Sequence, residues 1–221
     1  MRDRKSLNIT LVVYFIIFYA IWALIELVFV PMTGLDKNPL LSSIIKEGVI
    51  KCIVWLIPAI ILSRKYNELM YVKKDTIFSF KVNWLKYIPI FIILTAYVLV
   101  GTYIINGTIA LNKDFAFSDI VWLSFVGITE EMVFRGWLLN ATITENKKWL
   151  PIIINSLLFL LIHFPIWIQE GCFVDNILSG GFIIIIVLSV IFSWTFVKSK
   201  SIMVAVVLHM FYDFIATIIA I

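Results

Sequence analysis

Charged residues stand inside an apolar stretch in the second half of this chain. Glu130, Glu131 and Arg135 lie within six residues of one another, in a run whose neighbours are typical of a membrane-embedded helix. Each charge at the centre of a membrane-spanning helix costs roughly 2.5–3.5 kcal/mol on insertion scales. Three charges therefore cost on the order of 8–10 kcal/mol, which is comparable with the whole stability of a typical domain. Packing alone does not justify that cost, so we expect chemistry at this position.

Spacing along a helix separates the two carboxylates. Glu131 and Arg135 are four residues apart with the acid first, which is the favoured order for an ion pair on one helical face. Glu130 lies about 100° further round the helix. It has no obvious local cation, so we expect the two glutamates to have separate roles.

The only two histidines of the chain also lie in apolar segments. His163 follows Phe159 by four residues, and His209 precedes Asp213 by four residues. Each pair therefore shares one face of its helix. A lone histidine in a core is usually a satisfied polar residue, but two with matched spacing favour a functional site.

The composition predicts an integral membrane protein. The chain has 221 residues, of which 62% are hydrophobic and 14% charged, and its mean hydropathy is +1.03. Soluble domains are about 45–50% apolar and about 25% charged. At about 20 residues per spanning helix, the chain has room for an all-α transmembrane bundle and for no sizeable soluble domain. We expect a single integral membrane domain over residues 1–221.

Seven apolar segments predict seven helices, counted by hydropathy and by Gly, Pro and charged residues at their ends. We expect Pro31 and Gly34 to close the first of them, and Ser118 and Asp119, which are both good cap residues, to begin the fourth. The segments are Ile9–Val30, Ile44–Ser63, Tyr87–Asn106, Ser118–Thr142, Leu150–Ile168, Asn176–Val197 and Ser201–Ile221.

The basic residues predict how this bundle is oriented. Thirteen of the 18 basic residues fall in the N-terminus and in the loops around residues 64–86, 147–148 and 198–200. These regions share one side of a seven-helix bundle, and an excess of Lys and Arg marks the cytoplasmic side. We therefore expect a cytoplasmic N-terminus. The same bias explains the net charge of +4 without a nucleic-acid partner.

Depth in the membrane brings the candidate residues together. At 1.5 Å per residue, Glu130, His163 and Asp213 lie ~18–20 Å from the cytoplasmic helix ends, and His209 lies ~12 Å from its own. Three helices of alternating direction thus place these side chains at similar depths, close to the middle of the membrane. We expect them to share one cavity.

Three motifs in order carry a family resemblance. They are Glu130-Glu131-Met132-Val133-Phe134-Arg135, Phe159-x-x-x-His163 and His209-x-x-x-Asp213. This series, within residues 118–221, resembles the signature of the CAAX protease and bacteriocin-processing family, which includes the Ras-converting prenyl-protein endopeptidases. The resemblance implies a glutamate-type intramembrane endopeptidase with a multi-helix fold, a cytosol-facing cavity and no cofactor.

The resemblance also implies a role for each motif residue. By position, Glu130 would activate the attacking water with help from His163. His209 and Asp213 would stabilise the oxyanion, and Glu131 with Arg135 would shape the site. Asp213 departs from the family pattern, in which Asn is usual. An ionised Asp213 cannot donate to an oxyanion, so it must be protonated or act by orienting His209.

The residues leave three alternatives open. Glu130, His163 and His209 could supply three zinc ligands with an open position for water, although the chain has no HExxH motif. A non-catalytic scaffold or bacteriocin-immunity protein of the same fold would use the polar cavity for docking, since fold does not settle function. A proton-coupled transporter would also carry such residues at mid-membrane, but the chain shows no internal repeat.

Partners and location follow from the resemblance. The implied substrate is a peptide or a lipidated protein that reaches the site from the membrane or the cytoplasmic side. The lipid bilayer is the other expected partner. A short chain with few loops is similar to the bacterial branch of the family, where bacteriocin or pheromone maturation and self-immunity are the expected settings in the cell membrane.

Overall fold

The computed structural model describes residues 3–219, which are 80% helical and form no strand. This confirms the predicted all-α class. Arg2 and the end of the seventh predicted segment lie outside the described residues. The described residues form seven long helices, which we label α1 (Arg4–Thr33), α2 (residues 39–65), α3 (Trp84–Asn106), α4 (residues 117–142), α5 (Trp149–Gln169), α6 (Gly181–Ser199) and α7 (Ile202–Ile218).

Four of these helices are long and apolar enough to cross a membrane, judged by length and composition. They are α1, α3, α5 and α6, while α7 is apolar but shorter. Most of the buried charges described below lie on α2 and α4. The protein is therefore an integral membrane bundle whose charged helices are sheltered by apolar ones.

The first helix ends at Gly34 as predicted, but Pro31 does not help to end it, so that part of the prediction is wrong. Helix α1 passes through Pro31 and ends at Gly34, which has a left-handed φ of 63°. The turn before the proline, Ile25–Phe29, is π-helical. A proline removes one backbone donor and crowds the preceding turn, and a π-helical turn is one way to relieve this. Helix α2 does the same before Pro58, where Cys52–Leu56 is π-helical.

The sixth predicted segment is broken rather than continuous. Its first residues form part of a short helix, Phe173–Leu178, and α6 begins only at Gly181. Gly180 between them has a φ of 80°, a left-handed conformation that suits glycine. The prediction of one helix over Asn176–Val197 is therefore wrong. The break leaves an exposed loop at this end of the bundle.

Helix α5 is interrupted just before its histidine. Ile162 separates the helical stretches Trp149–Leu161 and His163–Gln169. The Ile162 carbonyl accepts a hydrogen bond from the indole nitrogen of Trp22 on α1, at 2.9 Å. Trp22 in turn packs edge-on against Trp55 of α2, with ring centroids 4.7 Å apart. This aromatic pair fixes the place where α5 turns and so positions His163.

A folded connector closes the basic end of the bundle. Asn140 at the end of α4 accepts from the Val72 backbone N–H at 2.6 Å and donates to the Val72 carbonyl at 2.9 Å. The Ile202 N–H at the start of α7 donates to the Ile77 carbonyl at 2.9 Å. Val72 and Ile77 are both buried in the core. The segment between α2 and α3 is therefore a packed cap, not a loose loop.

Candidate active site

Glu131 is the centre of a hydrogen-bonded cluster that joins α4 to α7. Its Oε1 accepts from Arg135 Nη1 and from His209 Nδ1, each at 2.9 Å. The predicted Glu131–Arg135 pair is confirmed. The His209 contact was not predicted, because the two residues are 78 positions apart. On its other side, His209 Nε2 lies 3.4 Å from Asp213 Oδ2, so the imidazole is held between two carboxyl groups.

Arg135 extends this cluster to α6. Its Nη2 donates to the backbone and side-chain oxygens of Ser189, at 3.0 and 2.8 Å. Its Nε donates to Ser193 Oγ at 3.3 Å, and the guanidinium carbon lies 4.7 Å from the Phe159 ring centroid. The planar fork of an arginine can serve several acceptors at once. Arg135 is fully buried, and it ties α4, α5 and α6 together around the site.

A glycine lets α4 approach α7 closely enough for the Glu131–His209 bond. A Cβ placed on Gly127 would lie 2.5 Å from Met210 Cγ and 3.3 Å from the Val206 carbonyl oxygen. The methionine side chain can move, but the backbone oxygen cannot move without a shift of α7. Gly127 therefore sets the spacing on which the cluster depends.

Replacing Gly127 with valine is expected to separate the two helices and to destabilise the folded protein by about 1–3 kcal/mol, a typical cost of overpacking. Thermal unfolding in detergent measures the loss. The matched control is Gly101→Val on α3, because a Cβ at Gly101 meets nothing within 4 Å. Equal unfolding temperatures for the two variants would contradict a spacing role for Gly127.

His163 is held by its own helix, as its spacing predicted. Its Nδ1 lies 3.2 Å from the Phe159 carbonyl oxygen. A carbonyl can only accept, so Nδ1 carries the proton of this bond. No described residue hydrogen-bonds to Nε2. That nitrogen is therefore available to a water or a substrate group.

Glu130 is paired with a cation that spacing along its helix did not reveal. Lys51 Nζ on α2 donates to Glu130 Oε1 at 2.9 Å, and it lies 2.6 Å from Glu47 Oε2. Lys51 is only 2% exposed and Glu130 only 5%. The available signal was the four-residue spacing of Glu47 and Lys51 inside an apolar segment, which is the same pattern as Glu131 and Arg135.

These charges continue as an alternating chain across α2 to α1. Lys46 Nζ lies 3.6 Å from Glu47 Oε1 and 3.2 Å from Glu26 Oε1. The series Glu26, Lys46, Glu47, Lys51, Glu130 therefore alternates in sign from the first helix to the motif helix. Buried charges persist when they are paired, and here each carboxylate faces an ammonium group. Glu26, which is fully buried on α1, is part of this network.

A cavity of about 310 Å³ lies beside the histidines. His163, His209 and Asp213 line it, together with Asn176 and Gly181 from the far side. The structure thus brings three of the four predicted catalytic residues to one void. Glu130 is not in its wall, although it lies within electrostatic range of both histidines and of Asp213.

The outer part of the cavity lies at one end of the bundle. Asn176 and Gly181, which line it, belong to the region between α5 and α6, at the end opposite the basic loops and the packed connector.

The described residues contain no group of three or more His, Cys, Asp or Glu side chains arranged to hold a metal ion. Glu130 directs one oxygen to Lys51 rather than toward the histidines. The zinc alternative therefore gains no support from the arrangement of the side chains.

Fold and site together define a membrane-embedded helical bundle with a buried cluster of carboxylates and histidines beside a cavity. Residues 113–215, just under half of the chain, match the family model described as type II CAAX prenyl endopeptidase Rce1-like. The matched region contains all three motifs and confirms the family resemblance. This part of the chain is similar to that family, and the similarity supports a CAAX-type intramembrane protease fold. Comparisons with curated proteins and with solved structures found no match.

Proposed function

We propose that this protein is an intramembrane endopeptidase that cleaves a peptide or a lipidated protein through a water activated by Glu130. The observation that carries the proposal is that the three family motifs bring a buried, ion-paired glutamate within electrostatic range of two histidines that line a cavity. A general base needs a carboxylate that a water can reach. Glu130 Oε2 has no hydrogen-bond partner among the described residues, and it is the atom we assign to the water.

His163 assists the same water. Its proton is committed to the Phe159 carbonyl through Nδ1, so Nε2 is the nitrogen that faces the reacting groups. The water is thus held between the Glu130 carboxylate and the imidazole. A positioned acid or base of this kind contributes about 10²–10⁴-fold to a rate.

His209 is assigned to the developing oxyanion. Glu131 accepts from its Nδ1 at 2.9 Å, which fixes the ring with Nε2 facing the cavity and Asp213. To donate to an oxyanion through Nε2, His209 must be the imidazolium, with a proton on each nitrogen. The contact to Asp213, at 3.4 Å, is long enough for a substrate oxygen to replace it. Preorganised donors of this type are worth about 3–4 kcal/mol each. Asp213 then orients His209, in accordance with its difference from the usual Asn.

Replacing Glu130 with glutamine tests the proposal. The expected result is a loss of cleavage of about 10²–10⁴-fold at an unchanged level of protein in the membrane. Comparative proteomics of membrane peptides from cells that carry the wild type or Glu130→Gln shows which processed peptides disappear. The matched control is Glu145→Gln at the exposed basic end, which we expect to process normally.

Other outcomes separate the alternatives. Unchanged processing in both Glu130→Gln and His163→Ala would overturn the peptidase and favour a scaffold or immunity protein. Cleavage that a chelator abolishes and zinc restores would favour a metal mechanism that uses Glu130, His163 and His209.

We place the protein in a bacterial cell membrane with its N-terminus in the cytoplasm, on the basic-residue bias.

A further inference from the structure

A second cavity lies at the basic end of the bundle, where α5 begins and α6 ends. Its volume is about 310 Å³. Three lysines and three aromatic residues share its wall: Lys148, Lys198, Lys200, Tyr71, Trp149 and Trp194. Along α5, Trp149 is 14 residues before His163, which is about 21 Å at 1.5 Å per residue. The cavity is therefore separate from the one beside the histidines.

The wall of this second cavity carries an excess of positive charge. It holds three ammonium groups and one carboxylate, that of Glu145, so its net charge is +2. Glu145 Oε2 lies 2.9 Å from Lys148 Nζ, and its Oε1 lies 3.9 Å from Lys200 Nζ. Exposed ion pairs of this kind contribute little to stability, and none of the described carboxylates pairs with Lys198. Lys198 and Lys200 are therefore available to an anionic ligand.

The backbone of Lys200 adopts a conformation that is costly for a lysine. Lys200 follows the last residue of α6 and has a left-handed φ of 55°. Glycine is the usual residue at this position of a helix end, because a Cβ is disfavoured there. The lysine side chain places its ammonium group 5.3 Å from the centre of the Tyr71 ring, in the wall of the cavity. Strain of this type is concentrated at functional sites, so the Lys200 side chain is a candidate ligand group.

The aromatic residues place the cavity at the membrane surface. Trp149 and Trp194 are both exposed, and tryptophan is enriched where the lipid headgroups meet the hydrocarbon. Ile153 lies one turn further into the membrane than Trp149, and Val187 lies two turns further in than Trp194 on the same face of α6. Both are exposed apolar residues. Charged groups at the surface and apolar groups below them match the order of groups in a phospholipid.

We propose that this cavity binds the phosphate-bearing headgroup of an anionic phospholipid in the leaflet at the basic end of the bundle. The phosphate lies between Lys198 and Lys200, because Lys148 is already paired with Glu145. Trp149 and Trp194 contact the glycerol and the first methylene groups of the chains. Basic pockets between membrane helices on the cytoplasmic side suit such headgroups. A free phosphate would use the lysines and leave the apolar residues below them without a partner.

Thermal unfolding of the full chain in detergent tests the proposal, because a ligand that binds only the folded state raises the unfolding temperature. We expect phosphatidylglycerol to raise it in a saturable manner and phosphatidylcholine with the same acyl chains not to do so. Equal shifts with the two lipids would overturn the proposal. The same saturable shift with inorganic phosphate would indicate a site for free anions, and with a soluble hexaglutamate peptide a site for acidic peptides. Either result would also overturn it.

Lysine replacements locate the binding site. A lysine close to the membrane surface contributes about fivefold to the attraction of an anionic lipid. Lys198→Gln combined with Lys200→Gln should therefore weaken the apparent affinity for phosphatidylglycerol roughly 30-fold. The matched control is Lys74→Gln combined with Lys86→Gln, which removes the same charge from exposed positions outside the cavity and should leave the affinity unchanged. An equal loss in both double variants would show a general attraction of the surface and refute the site.

Lys200→Gly separates lipid binding from folding. Glycine adopts a φ of 55° without the cost that a Cβ brings, so the unfolding temperature without lipid should rise. The apparent affinity for phosphatidylglycerol should fall about fivefold. An unchanged affinity would contradict the proposal, even if the double variant yields too little folded protein. No cleavage is measured in these experiments, so their outcome is independent of the proposed peptidase function.

Discussion

Replacing Lys51 with methionine is expected both to destabilise the protein and to abolish most of its activity. Lys51 is the common partner of Glu47 and Glu130, so its loss leaves Glu130 without an ammonium partner and Glu47 with only the longer contact to Lys46. Removal of one partner of a buried ion pair costs about 3–5 kcal/mol. The measurement is thermal unfolding in detergent, with unfolding temperature compared at equal protein concentration.

The effect on catalysis is separable from the effect on stability. Lys51 fixes Glu130 Oε1 at 2.9 Å, and without it the carboxylate is free to turn. A misplacement of about 1 Å can cost roughly 100-fold in rate, so we expect kcat per folded molecule to fall by about that factor. Lys51→Arg keeps the charge and should recover part of the rate.

Two further variants make the Lys51 result decisive. Lys113→Met is the matched control, because Lys113 is exposed at the same end of the bundle and should change neither quantity. The double variant Lys51→Met with Glu47→Gln also removes the Glu47 carboxylate charge that Lys51 no longer balances. It should therefore regain stability but not kcat. An unfolding temperature and kcat equal to wild type in Lys51→Met would refute a positioning role.

Replacing Arg135 with methionine is expected to give the largest loss of stability. The guanidinium is fully buried and serves Glu131, Ser189 and Ser193 at once. Breaking its pair with Glu131 costs about 3–5 kcal/mol, and the serine oxygens on α6 lose their donor as well. We expect little folded protein to reach the membrane, measured as the amount extracted in monodisperse form.

Two other variants, Arg135→Lys and Arg64→Met, are compared with Arg135→Met. Arg135→Lys can still pair with Glu131 but lacks the fork that reaches α6, so it should lie between the wild type and Arg135→Met. Arg64→Met makes the same change at an exposed position and should stay within about 0.5 kcal/mol of the wild type. Normal yield and unfolding temperature for Arg135→Met would show that the cluster does not hold the helices together.

Contacts within one helix were predictable from the sequence. Helical geometry fixes what lies four residues away, and it correctly paired Glu131 with Arg135 and placed Asp213 beside His209. The same geometry predicted the contact between His163 and Phe159. Apolar segment lengths gave the all-α class, because a bilayer requires about 20 apolar residues per crossing.

Contacts between helices were not predictable, because spacing carries no information about which faces meet. Lys51 and Glu130 are 79 positions apart on different helices, so helical spacing does not connect them. The outer part of the cavity beside the histidines depends on the break at Gly180, a tertiary feature that hydropathy does not describe.

The hydrogen bond from Trp22 to Ile162 shows that the region matched by the family model depends on helices that precede it. The family match begins at residue 113, yet Trp22 and Lys51, both upstream of it, hold the turn before His163 and the Glu130 carboxylate. The matched portion is therefore not a self-sufficient unit. Anyone who trims or grafts this scaffold must carry the first two helices along with the motifs, because those helices supply an anchor and a counter-ion to residues they never meet in sequence.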